Sequence, residues 1–276
     1  LASALLERIR KERQKAADKK KTKEPPAPDT ANLPQLPEGW VWSAFSEIIA
    51  EGPQNGLYLP QSAYGTGAPI VRIDDYQTGW SRSSEQLRRV AACEEDINRY
   101  QLRVADLLIN RVNSPSHLGK TLLVAERNLP AVFESNMMRL RLVAMVEPKY
   151  VRSWLASSPG RSLLTAHAKW AVNQASINQQ DVKATPIPVA PVVEQRQIVA
   201  EIDRRFSLAD EVEKTVEHSL RQADRLRQSL LKRAFEGKLV PQDPNDEPAE
   251  KLLARIRAEK VQQGSPVKRG NQRRRT

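Results

Sequence analysis

Two polar clusters hold the side chains of this chain best suited to chemistry. The first contains Arg111, Asn113, Ser114 and Lys120, around a short stretch with a proline. The second contains Lys169, Asn173, Gln174 and Asn178, with Trp170 among them. Arg72 and Asp74 close a third, apolar run. Such residues present paired donors and acceptors. Arg matches the edge of guanine, and Asn or Gln that of adenine; Lys, Arg, hydroxyls and amides suit phosphate. Each cluster also has a plainer reading. The first reads as a solvated turn, and the second as a helix-terminal cap packed by Trp170. Arg72 with Asp74 reads as a surface ion pair, and Asn55-Gly56 as a turn.

Catalytic patterns are missing. A DNA methyltransferase needs an Asn-Pro-Pro-Tyr-like loop and a glycine-rich cofactor turn. Asn113-Ser114-Pro115-Ser116 comes nearest and lacks the aromatic residue. A metal-dependent nuclease needs a Pro-Asp step followed by an acidic-x-Lys triplet. Asp181-Val182-Lys183 and Glu236-Gly237-Lys238 supply triplets, but the Pro-Asp step, Pro28-Asp29, lies in a proline-rich stretch. His117, His167, His218 and the lone Cys93 form no zinc-ligand spacing. No catalytic residue, metal or cofactor is therefore expected. One cysteine allows no internal disulfide and points to a reducing, cytoplasmic setting. No apolar run is long enough for a membrane helix.

The net charge of +11 suggests a nucleic-acid partner, but its distribution weakens that argument. Residues 1–23 carry +6 and residues 251–276 carry +8, which leaves −3 for residues 24–250. The basic excess sits in the two ends.

The elements that must position the clusters are legible in outline. Residues 1–23 read as a charged helix, with Leu5, Leu6 and Ile9 as its apolar stripe. Pro25, Pro26 and Pro28 make 24–36 an extended linker. Residues 37–190 have the texture of one mixed domain. Strands are expected at 68–73, 107–112, 121–125 and 137–143; helices are expected around 42–50, around 93–100 and from Pro148 to about His167. Thr185–Pro191 gives a rigid exit. Across 191–240, apolar residues recur from Ile198 through Phe206, Val216 and Leu226 to Ala234 at the helical period. The helix expected from Glu194 to Phe235 spans roughly 60 Å at the usual rise per residue. Ser207 is a candidate break, and Gly237 suits the left-handed residue after the helix end. Residues 241–276 read as a further helix and a basic tail. The fold class is α+β: a mixed-sheet domain with flanking helices, then a long amphipathic helix of coiled-coil type. Such a helix needs another helix to cover its stripe.

The chain also repeats itself. Leu1–Arg13 aligns with Pro248–Lys260, and seven of thirteen positions are identical. The repeat and the missing initiator Met suggest that the chain is the second half of a longer parent.

Several motifs in this order resemble the specificity subunits of type I restriction–modification systems. Leu36-Pro37-Glu38-Gly39-Trp40 resembles the lead-in to a target-recognition domain. Ala105-Asp106-Leu107-Leu108 resembles a Gly-Asp-Leu-Leu segment, with Ala105 in place of the glycine. Gly119-Lys120 and Asn173–Asn178 also fit. Pro186–Gln195 resembles the family's exit, with Ala190 in place of a proline, and Ser229–Val240 resembles the end of its conserved helix. The resemblance implies a reader of half of a split double-stranded DNA site, with no catalysis of its own. It also implies partners: modification (methyltransferase) subunits, restriction/translocase subunits, and an antiparallel helix from another half or copy. Residues 1–23 would be the tail of a preceding conserved helical region. The DNA-binding candidates are Arg72, Arg111, Asn113, Ser114, Lys120, Lys169, Asn173 and Gln174. A helical assembly protein with non-specific DNA affinity is the alternative.

Overall fold

The computed structural model describes residues 1–17, 30, 33–77, 80–114, 116–172 and 174–262. Asn173, Pro115, most of the expected linker and the basic tail from residue 263 lie outside these. The chain divides into two compact units, Leu1–Phe206 and Ser207–Thr276. Strands and helices are numbered below in chain order.

The first unit is built on a four-stranded antiparallel sheet in the order β2 (Ile49–Asn55), β11 (Met137–Leu142), β7 (Leu107–Asn110), β9 (Thr121–Leu123). Strand β7 is buried on both faces. Leu107 and Ile109 join one apolar cluster with Phe45, Met138 and Val151, while Leu108 joins another with Tyr76, Phe133 and Met137. Side chains alternate across a strand, so a strand covered on both sides reads as a continuous apolar run.

Smaller sheets surround this one. In the first, β3 (Tyr64–Val71) lies between β10 (Val132–Phe133), which is parallel to it, and β6 (Arg88–Val90), which is antiparallel. In the second, β13 (Ala175–Ser176) lies between β12 (Lys169–Trp170) and β8 (Val112–Asn113). β4 (Tyr76–Gln77) pairs with β5 (Trp80–Ser81). β1 (Val41–Ala44) pairs antiparallel with β14 (Pro186–Val189), so the two ends of the domain form one ribbon.

Helices complete the unit. α1 (Ala2–Ala17) buries Ala2, Leu6 and Ile9 against α2 (Phe45–Ile48), and Arg10 pairs with Glu47 at 2.8 Å. Its apolar stripe is part of the core. α3 (Glu94–Tyr100) matches its expectation. The helix expected from Pro148 to His167 is two, α4 (Pro148–Ala156) and α5 (Ser158–Leu164). Ser157 is extended, and its hydroxyl caps α5 at Gly160 N. The helix expected around 42–50 is a single turn between two strands. There Phe45 and Ile48 are spaced as on a helix, but pairing of β1 with β14 and β2 with β11 fixes the flanks as strand. α6 (Gln179–Ala184) is capped by Asn178 and leads into β14.

α7 (Val192–Phe235) is continuous through Ser207, so the expected break is absent. One serine costs a helix interior only about 0.5 kcal/mol relative to alanine, too little to break a run of this length. Gln195 is fully buried at its start. Its Oε1 accepts from Glu147 N at 2.9 Å, and its Nε2 donates to the Ala190 carbonyl at 2.8 Å. Ile198 and Val199 pack on the core. Gly237, at φ +69°, closes the helix, with Lys238 N donating to the Arg233 carbonyl.

In the second unit, every described side chain from Ser207 to Val261 is exposed, including Val212, Val216, Leu220, Leu226 and Leu230 on α7. α8 (Ala249–Gln262) is exposed from Ala249 to Val261 as well. No helix among the described residues is long and apolar enough to cross a membrane.

The Ala105-Asp106 motif is structural. Asp106 is buried; it accepts from Arg103 N at 2.9 Å and pairs with Arg141 at 2.8 Å. The preceding turn puts Ala105 at φ +69°, where a Cβ is strained and glycine is not. Ala105→Gly is expected to stabilise the fold by about 0.5–1 kcal/mol, relief of this strain outweighing the greater freedom of glycine in the unfolded chain. A denaturant melt showing Ala105→Gly less stable than the parent would remove the strain argument.

Candidate nucleic-acid interface

The two polar clusters, far apart in sequence, share one sheet. Ala175 lies opposite Asn113 and Ser176 opposite Val112, while Lys169 and Trp170 pair with Ser176 and Ala175. Lys169 and Trp170 are thus two strand spacings from Val112 and Asn113, about 10 Å. Lys169, Trp170 and Gln174 are all exposed. This replaces the expected helix cap: Trp170 packs on no helix end but stands 63% exposed on a hairpin strand. The helix cap in this region is Asn178.

Beside that sheet lies a cleft of about 330 Å³, lined by Ile73, Asp74, Tyr76, Gln77, Asn113, Ser114, His117 and Lys120. Sequence reading had found Asn113, Ser114 and Lys120. It missed His117 and Gln77, and it had paired Asp74 only with Arg72. The available signal for Gln77 was Thr78-Gly79 between two short aromatic-containing runs, a pattern that favours a hairpin. His117 had no sequence signal beyond its place between Ser116 and Gly119.

The loop from Ser114 to Gly119 is held from behind. Arg161, on α5, donates through Nε to the Leu118 carbonyl at 2.9 Å and through Nη2 to that of Ser116. The buried Tyr76 hydroxyl meets the buried Asn110 side chain. Asn110 N donates to the Lys120 carbonyl, and Gly119 N to the Asn110 carbonyl, both at 2.9 Å. Gly119 has φ +72°, and a Cβ there would sit 2.9 Å from Thr165 Cγ2. Within the loop, Ser114 Oγ and Ser116 Oγ both reach His117 Nδ1, at 3.0 and 2.9 Å. That leaves Nε2 of the exposed ring free of these contacts.

Lys120 lies over the Tyr76 ring, with Nζ 5.6 Å from its centroid. Partial burial lowers the pKa of its ammonium, and repulsion from Arg161 adds to the effect. An anion brought to this point would favour the charged form and oppose both effects.

Three candidates have other contacts, and the first is Asn113, whose Oδ1 accepts from Ser114 N at 2.8 Å. Arg111 is partly buried and donates through Nη1 to the Ser135 carbonyl at 3.1 Å. Arg72 pairs with Glu134 at 3.1 Å and lies over the Tyr64 ring, so its partner is not Asp74. Asp74 instead sits 3.6 Å from Arg88. Asn173 lies outside the described residues. Among those described, no group of His, Cys, Asp and Glu could hold a metal ion.

The mixed-sheet body carries polar loops around one open cleft, and a 44-residue amphipathic helix follows it. The chain is a relative of the type I restriction enzyme specificity subunits. It is 29% identical over 232 residues to the EcoKI specificity subunit of Escherichia coli K12, covering 80% of this chain and 49% of that protein. It is 28% identical over 236 residues to the StySPI specificity subunit of Salmonella potsdam, covering 82% and 50%. With the putative MjaX specificity subunit of Methanocaldococcus jannaschii it shares 30% over 206 residues, covering 73% and 46%. The chain therefore spans about half the length of the curated relatives it matches. No family model matches it. Two solved chains share its fold, each at 24% identity over 86% of this chain. One is from a study of type I R-M complex assembly, with a TM-score of 0.58 over 58% of that chain. The other is the HsdS subunit of Thermoanaerobacter tengcongensis, with a TM-score of 0.51 over 57%.

Gly119→Ala is expected to destabilise the body by about 1–3 kcal/mol, because it adds both a left-handed Cβ and a clash. Thr165→Ala in the same chain removes the clash and should restore only part of the loss. Thermal melts of the single and double variants that match the parent would show that the loop does not need this glycine.

Proposed function

We propose that the first unit reads the sequence of double-stranded DNA and that the long helix docks and spaces its partners, with no catalysis in this chain. One observation carries the reading. Asn113, Ser114, His117, Lys120, Gln77 and Asp74 converge on one open cleft beside the exposed Lys169–Trp170 strand. Paired donors and acceptors at base edges specify sequence, while cations beside them fix register on the phosphates. In this reading Asn113 and Gln77 face bases, and Lys169 and Lys120 face phosphate. Gln174 and Ser114 are polar supports, and Arg72 and Arg111 shape the body. Asn173 is a candidate by its residue type and sequence position alone.

The relatives' names support the assignment, since each is a specificity subunit of a type I restriction enzyme. By this kinship the partners are methyltransferase (modification) subunits and restriction/translocase subunits. The bare stripe of α7 supports an antiparallel helix from another half or copy as a further partner. The setting is cytoplasmic, and no cofactor is needed. In this reading 37–190 is the reader and 191–240 the spacer.

Enrichment of bound duplexes from a random pool by the full chain should return a defined motif. Asn113→Ala should relax one position of that motif, at a cost of about 1–3 kcal/mol. Lys169→Ala should weaken all sequences alike and lower the salt slope by about one unit. The chain alone, given DNA, Mg²⁺ and either ATP or S-adenosylmethionine, should neither cut nor methylate. Recovery of no motif, with affinity that falls with salt equally for every duplex, would favour the helical assembly reading instead.

A further inference from the structure

On the reading of the cleft as a DNA surface, we propose that Asp74 accepts from the exocyclic amino group of a cytosine and that His117 donates to the guanine paired with it. The sequence read by this chain then contains a G·C pair at that point. One residue of the cleft has the wrong charge for DNA. Asp74 is the one carboxylate among the described residues that line it, and its side chain is 57% exposed. A carboxylate repels phosphate, and it can only accept hydrogen bonds. On a surface that meets DNA it gains only where it faces a donor.

The fold holds Asp74 in place through its neighbours. It sits in the turn between β3 and β4, which Asp75 N closes by donating to the Arg72 carbonyl at 3.1 Å. Arg72 N donates to Asp75 Oδ2 at 2.8 Å, and Ile73 N donates to Glu134 Oε1 at 2.9 Å. Asp75 is buried and also pairs with Arg82 at 3.1 Å. Asp75 therefore builds the turn, and Glu134 anchors it. Asp74 meets the exposed Arg88 at 3.6 Å. Exposed pairs of this kind contribute little in water, so the carboxylate can turn to a better donor.

The chemistry of the base edges selects the partner. In the major groove cytosine offers an amino donor alone, whereas adenine offers a donor beside an acceptor and calls for Asn or Gln. An acceptor-only side chain therefore matches cytosine. The paired guanine offers two acceptors, N7 and O6, and calls for donors. His117 is exposed in the same cleft, and the Ser114 and Ser116 hydroxyls engage its Nδ1. With Nδ1 accepting from them, or with the ring charged, Nε2 carries a proton and donates. The lining thus offers the acceptor and the donor that one G·C pair requires.

The test uses the full chain, with motifs enriched from a random duplex pool and affinities measured at one salt concentration. Asp74→Ala should return the parent motif with one cytosine relaxed, and its affinity for the parent duplex should fall about tenfold. Its affinity for duplexes without the motif should rise, because a repelling charge is gone. Asp74→Asn, which adds a donor, should move the preference at that position from cytosine toward adenine. His117→Ala should relax the same base pair. Arg88→Ala breaks the ion pair, keeps the carboxylate and should leave the motif unchanged. If Asp74→Ala does not fold, the near-isosteric Asp74→Asn carries the test. A motif that Asp74→Ala leaves intact, or relaxes at an A·T position, overturns this assignment and leaves the cleft a reader. So does the same relaxation in Arg88→Ala, which would trace the effect to the ion pair. A parent chain that returns no motif overturns the reading of the cleft itself, and this assignment with it.

Discussion

The buried amide of Gln195 sits where the structure could most easily come apart. It lies in the first turn of α7, and its side chain bonds to the start of α4 and to the end of the β14 exit. Its backbone N donates to the Pro191 carbonyl at 2.9 Å. Every one of these groups is satisfied only while the helix holds its place on the body. A buried amide that loses its partners costs about 1–3 kcal/mol per orphaned group. Lys149 and Asp203 add an exposed pair at 2.9 Å two turns further along. Exposed pairs contribute little, so the mount rests on Gln195 and on Ile198 and Val199 packed beside it.

The ribbon of β1 and β14 extends that constraint to the other end of the domain. The strand that leads into the body and the strand that leaves it are hydrogen-bonded neighbours. α1 hangs on the lead-in through Ala2 and Gly39, and α7 on the exit through Gln195 and Ala190. A reader whose two ends meet this closely can sit between helical segments without a connection crossing its cleft. The cleft follows a complementary logic. Arg161, Tyr76, Asn110 and Gly119 are used up in holding the loop, which leaves Gln77, the Lys169 ammonium and one face of His117 unspent. Preorganised donors lose little entropy when a ligand meets them.

Sequence carried some of this and could not carry the rest. The period of α7 is local, written along one helix, and was read within two residues of its observed start. The buried strands β7, β9 and β11 were found because each holds enough apolar residues to register. β8, β12 and β13 have two residues each, too few for any periodicity. Their pairing joins residues some sixty positions apart, so the union of the two polar clusters was invisible until the chain folded. Trp170 was misjudged for a related reason. Apolar residues in polar runs usually pack, and this one stays exposed. Arg72 was paired with its sequence neighbour Asp74, whereas the fold supplies Glu134 from β10's end of the sheet.

The second unit raises a question of magnitude. Five large apolar residues of α7, from Val212 to Leu230, lie in water together with Phe206 just before them. Burying them against another helix would gain on the order of 10 kcal/mol at full coverage. Association costs about 4–15 kcal/mol in lost freedom before any side chain is ordered. A seam along α7 alone therefore stands near balance, and a stripe of Val, Leu and Ala specifies register poorly. A second, stereospecific contact would tip the balance and fix the register together. The apolar stripe can then supply affinity while that second contact supplies the choice of partner.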